Sequence, residues 1–118
     1  MPSGPLCCAA LVCILLTGCA SWESPGRDNA PWLSGLIAEF QSEPVGNPPH
    51  AIYQYTYNGR IVYYVPPQCC DQFSTLYDAD GIEICAPDGG FSGGGDGRCP
   101  DFFDQATDKV LIWEDPRR

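Results

Sequence analysis

Three groups of residues in this chain are of types that could do chemistry: the cysteines at 69, 70, 85 and 99, the carboxylates of Asp71, Asp78, Asp80, Glu83, Asp88 and Asp96, and Ser92. Ser92 stands in Gly90-Phe91-Ser92-Gly93-Gly94, a literal G-x-S-x-G. A nucleophile elbow of that pattern needs a strand before it, a helix after it, and an acid and a histidine later in the chain. The single histidine, His50, precedes Ser92, and 118 residues cannot build the large sheet of such a hydrolase. No lysine follows the glycines as a phosphate-binding loop requires, and the βαβ setting of a dinucleotide fingerprint is missing. With no nucleophile and base paired, the sequence reads as non-enzymatic.

The carboxylates invite a cation reading, because Ca²⁺ takes several carboxylate and carbonyl oxygens from a flexible loop. Asp78, Asp80, Asp88 and Asp96 are the candidate ligands. Asp78-Ala79-Asp80-Gly81 opens like an EF-hand loop but continues with Ile82 at the fifth position and Glu83, not glycine, at the sixth. Asp-Gly pairs also make turns, and aspartates cap loop N–H groups. Turn chemistry is the expectation, with no cofactor, and Ca²⁺ is the alternative. Paired-carboxylate sugar hydrolysis would need a cleft that so small a domain hardly encloses.

The N-terminal residues 6–17 are apolar and uncharged, too short a run to span a bilayer but suited to a signal sequence. They lead into Leu16-Thr17-Gly18-Cys19, which resembles a bacterial lipobox. The resemblance implies that residues 1–18 are a lipoprotein signal peptide and that Cys19 carries lipid as the membrane anchor. It also implies a location in the bacterial cell envelope, here taken as the outer membrane facing the periplasm. Residues 19–29, with Ser, Pro, Gly and mixed charge, read as a flexible tether. Residues 30–118 then form a single domain. A net charge of -9 with no Lys/Arg cluster excludes nucleic acid and an anionic lipid surface as partners.

If Cys7, Cys8 and Cys13 leave with the signal and Cys19 takes lipid, four of the eight cysteines remain. An even set in an oxidising compartment reads as two disulfides. Adjacent cysteines bond each other only through a strained ring, so Cys69 and Cys70 are each expected to reach a different partner among Cys85 and Cys99. Zinc is disfavoured, because structural sites pair cysteines two to four residues apart.

The elements that would position these groups follow from periodicity. Trp32, Leu33, Leu36, Ile37 and Phe40 fall on one helical stripe, with Asp28 or Asn29 as cap and Pro31 in the first turn, before Pro44 and Gly46 end the helix. Asn58-Gly59 between runs rich in Tyr, Ile, Thr and Val predicts a type I′ hairpin pairing Tyr57 with Arg60. That register puts Tyr53, Tyr55, Tyr57, Val62 and Tyr64 on one face and Ile52, Gln54, Thr56, Ile61, Tyr63 and Val65 on the other. The helix is expected to cover one face and leave amphipathic tyrosines near solvent on the other, so Tyr53, Tyr55, Tyr57 and Tyr64 are candidates for a binding surface. A second hairpin is predicted around Asp78-Ala79-Asp80-Gly81, followed by a helical turn with Phe102 and Phe103 facing inward. Val110-Leu111-Ile112-Trp113 reads as a final strand buried on both faces. The glycines at 93, 94 and 95 are free to take positive φ and let the chain bend back toward Cys99.

A set of short motifs runs through this region: Tyr57-Asn58-Gly59, Val62-Tyr63-Tyr64, Cys69-Cys70-Asp71, Leu76-Tyr77-Asp78 with Gly81, Pro87-Asp88-Gly89-Gly90-Phe91, Gly95-Asp96-Gly97, Pro100-Asp101-Phe102 and Leu111-Ile112-Trp113. Together they resemble a family of small bacterial envelope lipoproteins known only as a domain of unknown function, over residues 50–115. The resemblance implies an envelope location and one compact domain; it supplies no activity and no catalytic residue. The expected fold is α+β, one N-terminal amphipathic helix on an antiparallel sheet of four or five strands, with a disulfide-stapled glycine-rich loop. The expected role is a lipid-anchored, non-enzymatic module that contacts an envelope protein or a small ligand.

Overall fold

The computed structural model describes residues 30–69 and 71–117. The expected signal peptide (residues 1–18), the expected lipid acceptor Cys19, the expected tether and Cys70 lie outside the described residues. Helix α1 (Pro31–Ser42) starts at Ala30, which takes the cap position with extended backbone and no side-chain bond. The predicted caps Asp28 and Asn29 therefore lie before it. Five strands follow: β1 (Ala51–Tyr57), β2 (Arg60–Val65), β3 (Thr75–Tyr77), β4 (Glu83–Cys85) and, after the short helix α2 (Phe102–Gln105), β5 (Thr107–Glu114). Their order in the sheet is β4-β3-β2-β1-β5, and each neighbouring pair is antiparallel.

The first hairpin has the register that Asn58-Gly59 dictates. Both residues adopt positive φ, 54° and 76°, and Tyr57 faces Arg60. The two sheet faces then separate by residue parity. On one, Ile52, Tyr63 and Val65 pack under Leu33, Trp32, Leu36, Ile37 and Phe40 of α1, with Ile112 and Trp113 of β5. Trp32 sets its ring edge-on to Tyr63 at 5.3 Å and donates its indole N–H to the Ala79 carbonyl at 2.8 Å, which ties α1 to the β3–β4 turn.

The tyrosine face differs from expectation. It carries a second core, in which Tyr57, Val62 and Tyr64 pack with Leu76, Cys85, Cys99 and Phe102. Phe102 of α2 fits over the sheet and excludes water from tyrosines that the hairpin pattern alone would leave near solvent. Phe102 is fully buried whereas its neighbour Phe103 is 51% exposed. Successive residues of a helical turn point about 100° apart, so the two cannot be equally buried, and Phe103 meets the Tyr64 side of the core, ring to ring at 5.4 Å.

The disulfide pairing also departs from the expected one. Cys85 and Cys99 bond to each other, with Cα atoms 6.2 Å apart. The glycine-rich segment between them folds back, with Asp96 N–H donating to the Ala86 carbonyl at 3.0 Å, so its two ends meet. Cys69 is exposed and disulfide-bonded. Strand β5 is longer than predicted and lies at the sheet edge, paired with β1, which leaves Val110 and Leu111 exposed rather than buried.

The chain after β5 returns to α1. Asp115 is almost fully buried; its N–H donates to the His50 carbonyl at 2.9 Å. Arg117 donates from Nε to Asp115 Oδ1 at 3.0 Å and from Nη2 to Oδ2 at 2.7 Å, and Nη2 also reaches the Phe40 carbonyl at 3.2 Å. These guanidinium bonds hold the Asp115 carboxyl at about 2, below the ordinary 3.8. A carboxyl with a lowered folded pKa stabilises fully above its ordinary value and loses that contribution as pH falls through the folded one. The stability gap between wild type and Arg117→Met is therefore expected to be full at neutral pH and to close between about pH 4 and pH 2. Denaturant titrations across that window check this, and a gap independent of pH contradicts it.

Candidate functional site

The carboxylates singled out in the sequence do not converge. Asp78 Oδ1 accepts N–H bonds from Asp80 at 2.8 Å and Ile82 at 3.0 Å, closing the β3–β4 turn. Asp96 accepts from the backbone N–H of Arg98 at 3.0 Å and from its Nε at 2.8 Å. Those bonds, the backbone one foremost, hold the Asp96 carboxyl below its usual range. Asp88 Oδ1 accepts the Tyr64 hydroxyl at 2.9 Å, and Asp80 is exposed. Among the described residues no three of His, Cys, Asp and Glu are grouped to hold a metal ion.

The tyrosines are likewise engaged. Tyr57 donates its hydroxyl to Asp101 Oδ1 at 2.6 Å, which raises its pKa, with burial adding to the effect. Burial pushes Tyr64 far above the usual phenol range, and the Asp88 bond pushes it further. Tyr55 is raised by burial and then by Asp88. Phenols so raised stay protonated and are unsuited to general-base work, and Tyr57 and Tyr64 act as hydrogen-bond donors. Tyr57 and Tyr64 are buried; Tyr53 and Tyr55 remain partly exposed, beside half-exposed Leu111, with Lys109 Nζ 4.5 Å above the Tyr53 ring. Of the four tyrosines predicted to form a surface, these two keep one.

Nor are Ser92 and His50 brought together by their contacts. His50 stacks on Phe40 of α1 at 3.8 Å, whereas Ser92 Oγ accepts from the Gly94 N–H at the tip of the glycine loop.

The glycine loop around Ser92 is held more firmly than its composition predicts. Ser74 Oγ and N–H both donate to the Asp88 carbonyl at 3.0 Å, and Asp88 N–H donates back to Ser74 Oγ at 3.1 Å, latching the loop to the start of β3. Gly90 N–H donates to the Gln72 carbonyl at 2.9 Å, Gly93 N–H to Gly90 at 3.2 Å, and Gly95 N–H to Gly89 at 3.0 Å. Gly93 and Gly95 take positive φ as expected; Gly94 does not. The loop is thus internally hydrogen-bonded and closed at its base by Cys85 and Cys99. Yet it presents Phe91 at 98% exposure, and half-exposed Phe73 lies over Gly90, where an added Cβ would fall 2.6 Å from the ring. The signal for this was Phe91 flanked by glycines on one side and Ser-Gly-Gly on the other, a bulky side chain where the chain must turn.

A groove of about 310 Å³ lies between α1 and β5, lined by Leu33, Ile37, Ile112 and Trp113. It carries no titratable group. Neither a curated protein nor a solved structure matches the chain significantly. A family model described as Domain of unknown function (DUF6970) matches residues 38–115, which takes in the end of α1, all five strands, the disulfide and the loop. The match spans well over half of the chain, which therefore belongs to the DUF6970 family.

Proposed function

We propose that this protein is a lipid-anchored component of the bacterial cell envelope that works by binding another envelope component, without catalysis. Cys19 is the anchor, residues 19–29 the tether and residues 30–118 the binding domain. The observation that supports binding is Phe91, 98% exposed on a loop whose backbone is fixed by its own hydrogen bonds. Isolated exposed apolar residues are common on protein surfaces. A phenylalanine held out on a stapled loop differs, because it is already ordered and loses little freedom on contact.

The test has two arms. Intact-mass analysis of envelope material is expected to show loss of residues 1–18 and gain of lipid on Cys19; a soluble, unlipidated chain sinks the anchoring. Photo-crosslinking from exposed positions Phe73, Phe91, Phe103 and Leu111 in the native envelope is expected to give adducts from at least one. No adduct from any of them sinks the binding role.

On the same reading the acidic loop is turn structure, with Asp78 and Asp96 already bonded internally. Millimolar Ca²⁺ is expected to leave the melting temperature unchanged, since a ligand at one hundred times its dissociation constant would add about 2.7 kcal/mol. A rise of several degrees, lost in Asp96→Asn, would instead favour a Ca²⁺ module.

A further inference from the structure

We infer that the glycine loop is a docking knob: Phe91, with Phe73 at its side, inserts into an apolar pocket on a protein partner, and that pocket is bordered by basic side chains. The inference rests on the binding role proposed above and assigns its surface and partner chemistry.

Two features single out the loop among the exposed apolar sites. Phe91 is almost wholly exposed, whereas Phe103 and Leu111 are each about half covered, Phe103 by the rings of Tyr64 and Phe102. The loop backbone is also fixed before contact. Bonds run from Gly90 to Gln72, from Gly95 to Gly89 and from Asp96 to Ala86, with the Cys85–Cys99 bond beneath. An aromatic anchor on a preordered loop is the side-chain type that concentrates binding energy at the centre of an interface.

Charge selects the occupant. The chain carries a net -9, and two of its cations, Arg98 and Arg117, are paired with Asp96 and Asp115. Asp71, two residues before Phe73 in the chain, is exposed. Such a field repels a second copy of the same chain and anionic headgroups, and it speeds encounter with a basic protein surface.

The experiment uses the full-length protein with a photoreactive benzoylphenylalanine at position 91 or, in parallel, at position 103, irradiated in its native envelope. The purified protein alone and vesicles of phosphatidylethanolamine with phosphatidylglycerol serve as the two other probes. The expected result is a protein adduct from position 91 and not from 103. It should be suppressed about tenfold or more at high salt, and out-competed by wild type but not by Phe91→Ala. Phe91→Ala should melt like wild type, because the ring contributes little to the folded state. Adducts from position 103 alone overturn the knob while leaving the binding role standing. Adducts to lipid or to a second copy, adducts insensitive to salt, or full competition by Phe91→Ala also overturn it.

Discussion

Replacing Phe102 by alanine is expected to lower stability by about 4 kcal/mol, which for a domain of this size is a fall of roughly 20 °C in melting temperature. Phe102 is fully buried, and its ring meets Tyr55 at 5.0 Å, Tyr57 at 5.1 Å and Tyr64 at 5.8 Å. Three tyrosines thus lose a common packing partner. The hydroxyls of Tyr57 and Tyr64, bonded to Asp101 and Asp88, limit how far the rings can collapse into the void. Phe103→Ala, at a half-exposed neighbour, is expected to cost less than half as much. Thermal unfolding followed by near-ultraviolet circular dichroism reads both, and a Phe102→Ala protein melting within a few degrees of wild type would contradict the second core.

Gly95→Ala is expected to be nearly as damaging, by about 3 kcal/mol, whereas Gly94→Ala is expected to be tolerated. Gly95 has φ +75°, and a Cβ there would press into the Ala86 carbonyl and lie 2.7 Å from the Pro87 carbonyl carbon. Neither contact can yield by turning a side chain, because both are backbone. At Gly94 the φ is ordinary and the nearest atom to a new Cβ is Ser92 Oγ at 3.7 Å. The pair therefore separates backbone conformation from glycine content in one loop. Denaturant midpoints measure it, and equal effects at the two positions would show that the loop is held some other way.

How far the sequence carried the fold is seen in the first hairpin. Asn58-Gly59 fixes the turn, the turn fixes the register, and parity then assigns Ile52, Tyr63 and Val65 to the helix side and Tyr57, Val62 and Tyr64 to the other. All of that is local. What closes the tyrosine side is not: Phe102 arrives from 45 residues beyond Tyr57, and no local pattern says which of two adjacent phenylalanines turns inward. The Cys85–Cys99 bond is illegible in the sequence for a related reason. Avoiding a bond between neighbours left Cys85 and Cys99 as separate targets, whereas their proximity depends on how residues 86–98 fold back. The Arg117 clasp on Asp115 and Phe40 was silent in the sequence, because an acid and a base two apart near a chain end carry no sign of burial. For the site, the carboxylates and tyrosines were visible by type but their mutual bonding was not, and Phe91 passed as part of a serine motif.

Strand β1 is paired on one side with β2, which follows it at once, and on the other with β5, which begins at Thr107. The helix-side core is incomplete for as long, since it includes Ile112 and Trp113. In order of synthesis, β1 therefore waits with one edge open until every other element named here has been made. Pairings so distant along the chain form slowly. A chain arrested on the ribosome before β5 has left the exit tunnel would accordingly remain open to protease, and one extended far enough past Glu114 for β5 to emerge would become resistant. On the envelope location proposed above, the same delay would keep the polypeptide pliable during export, and the pairing of β5 with β1 would be the step that closes it.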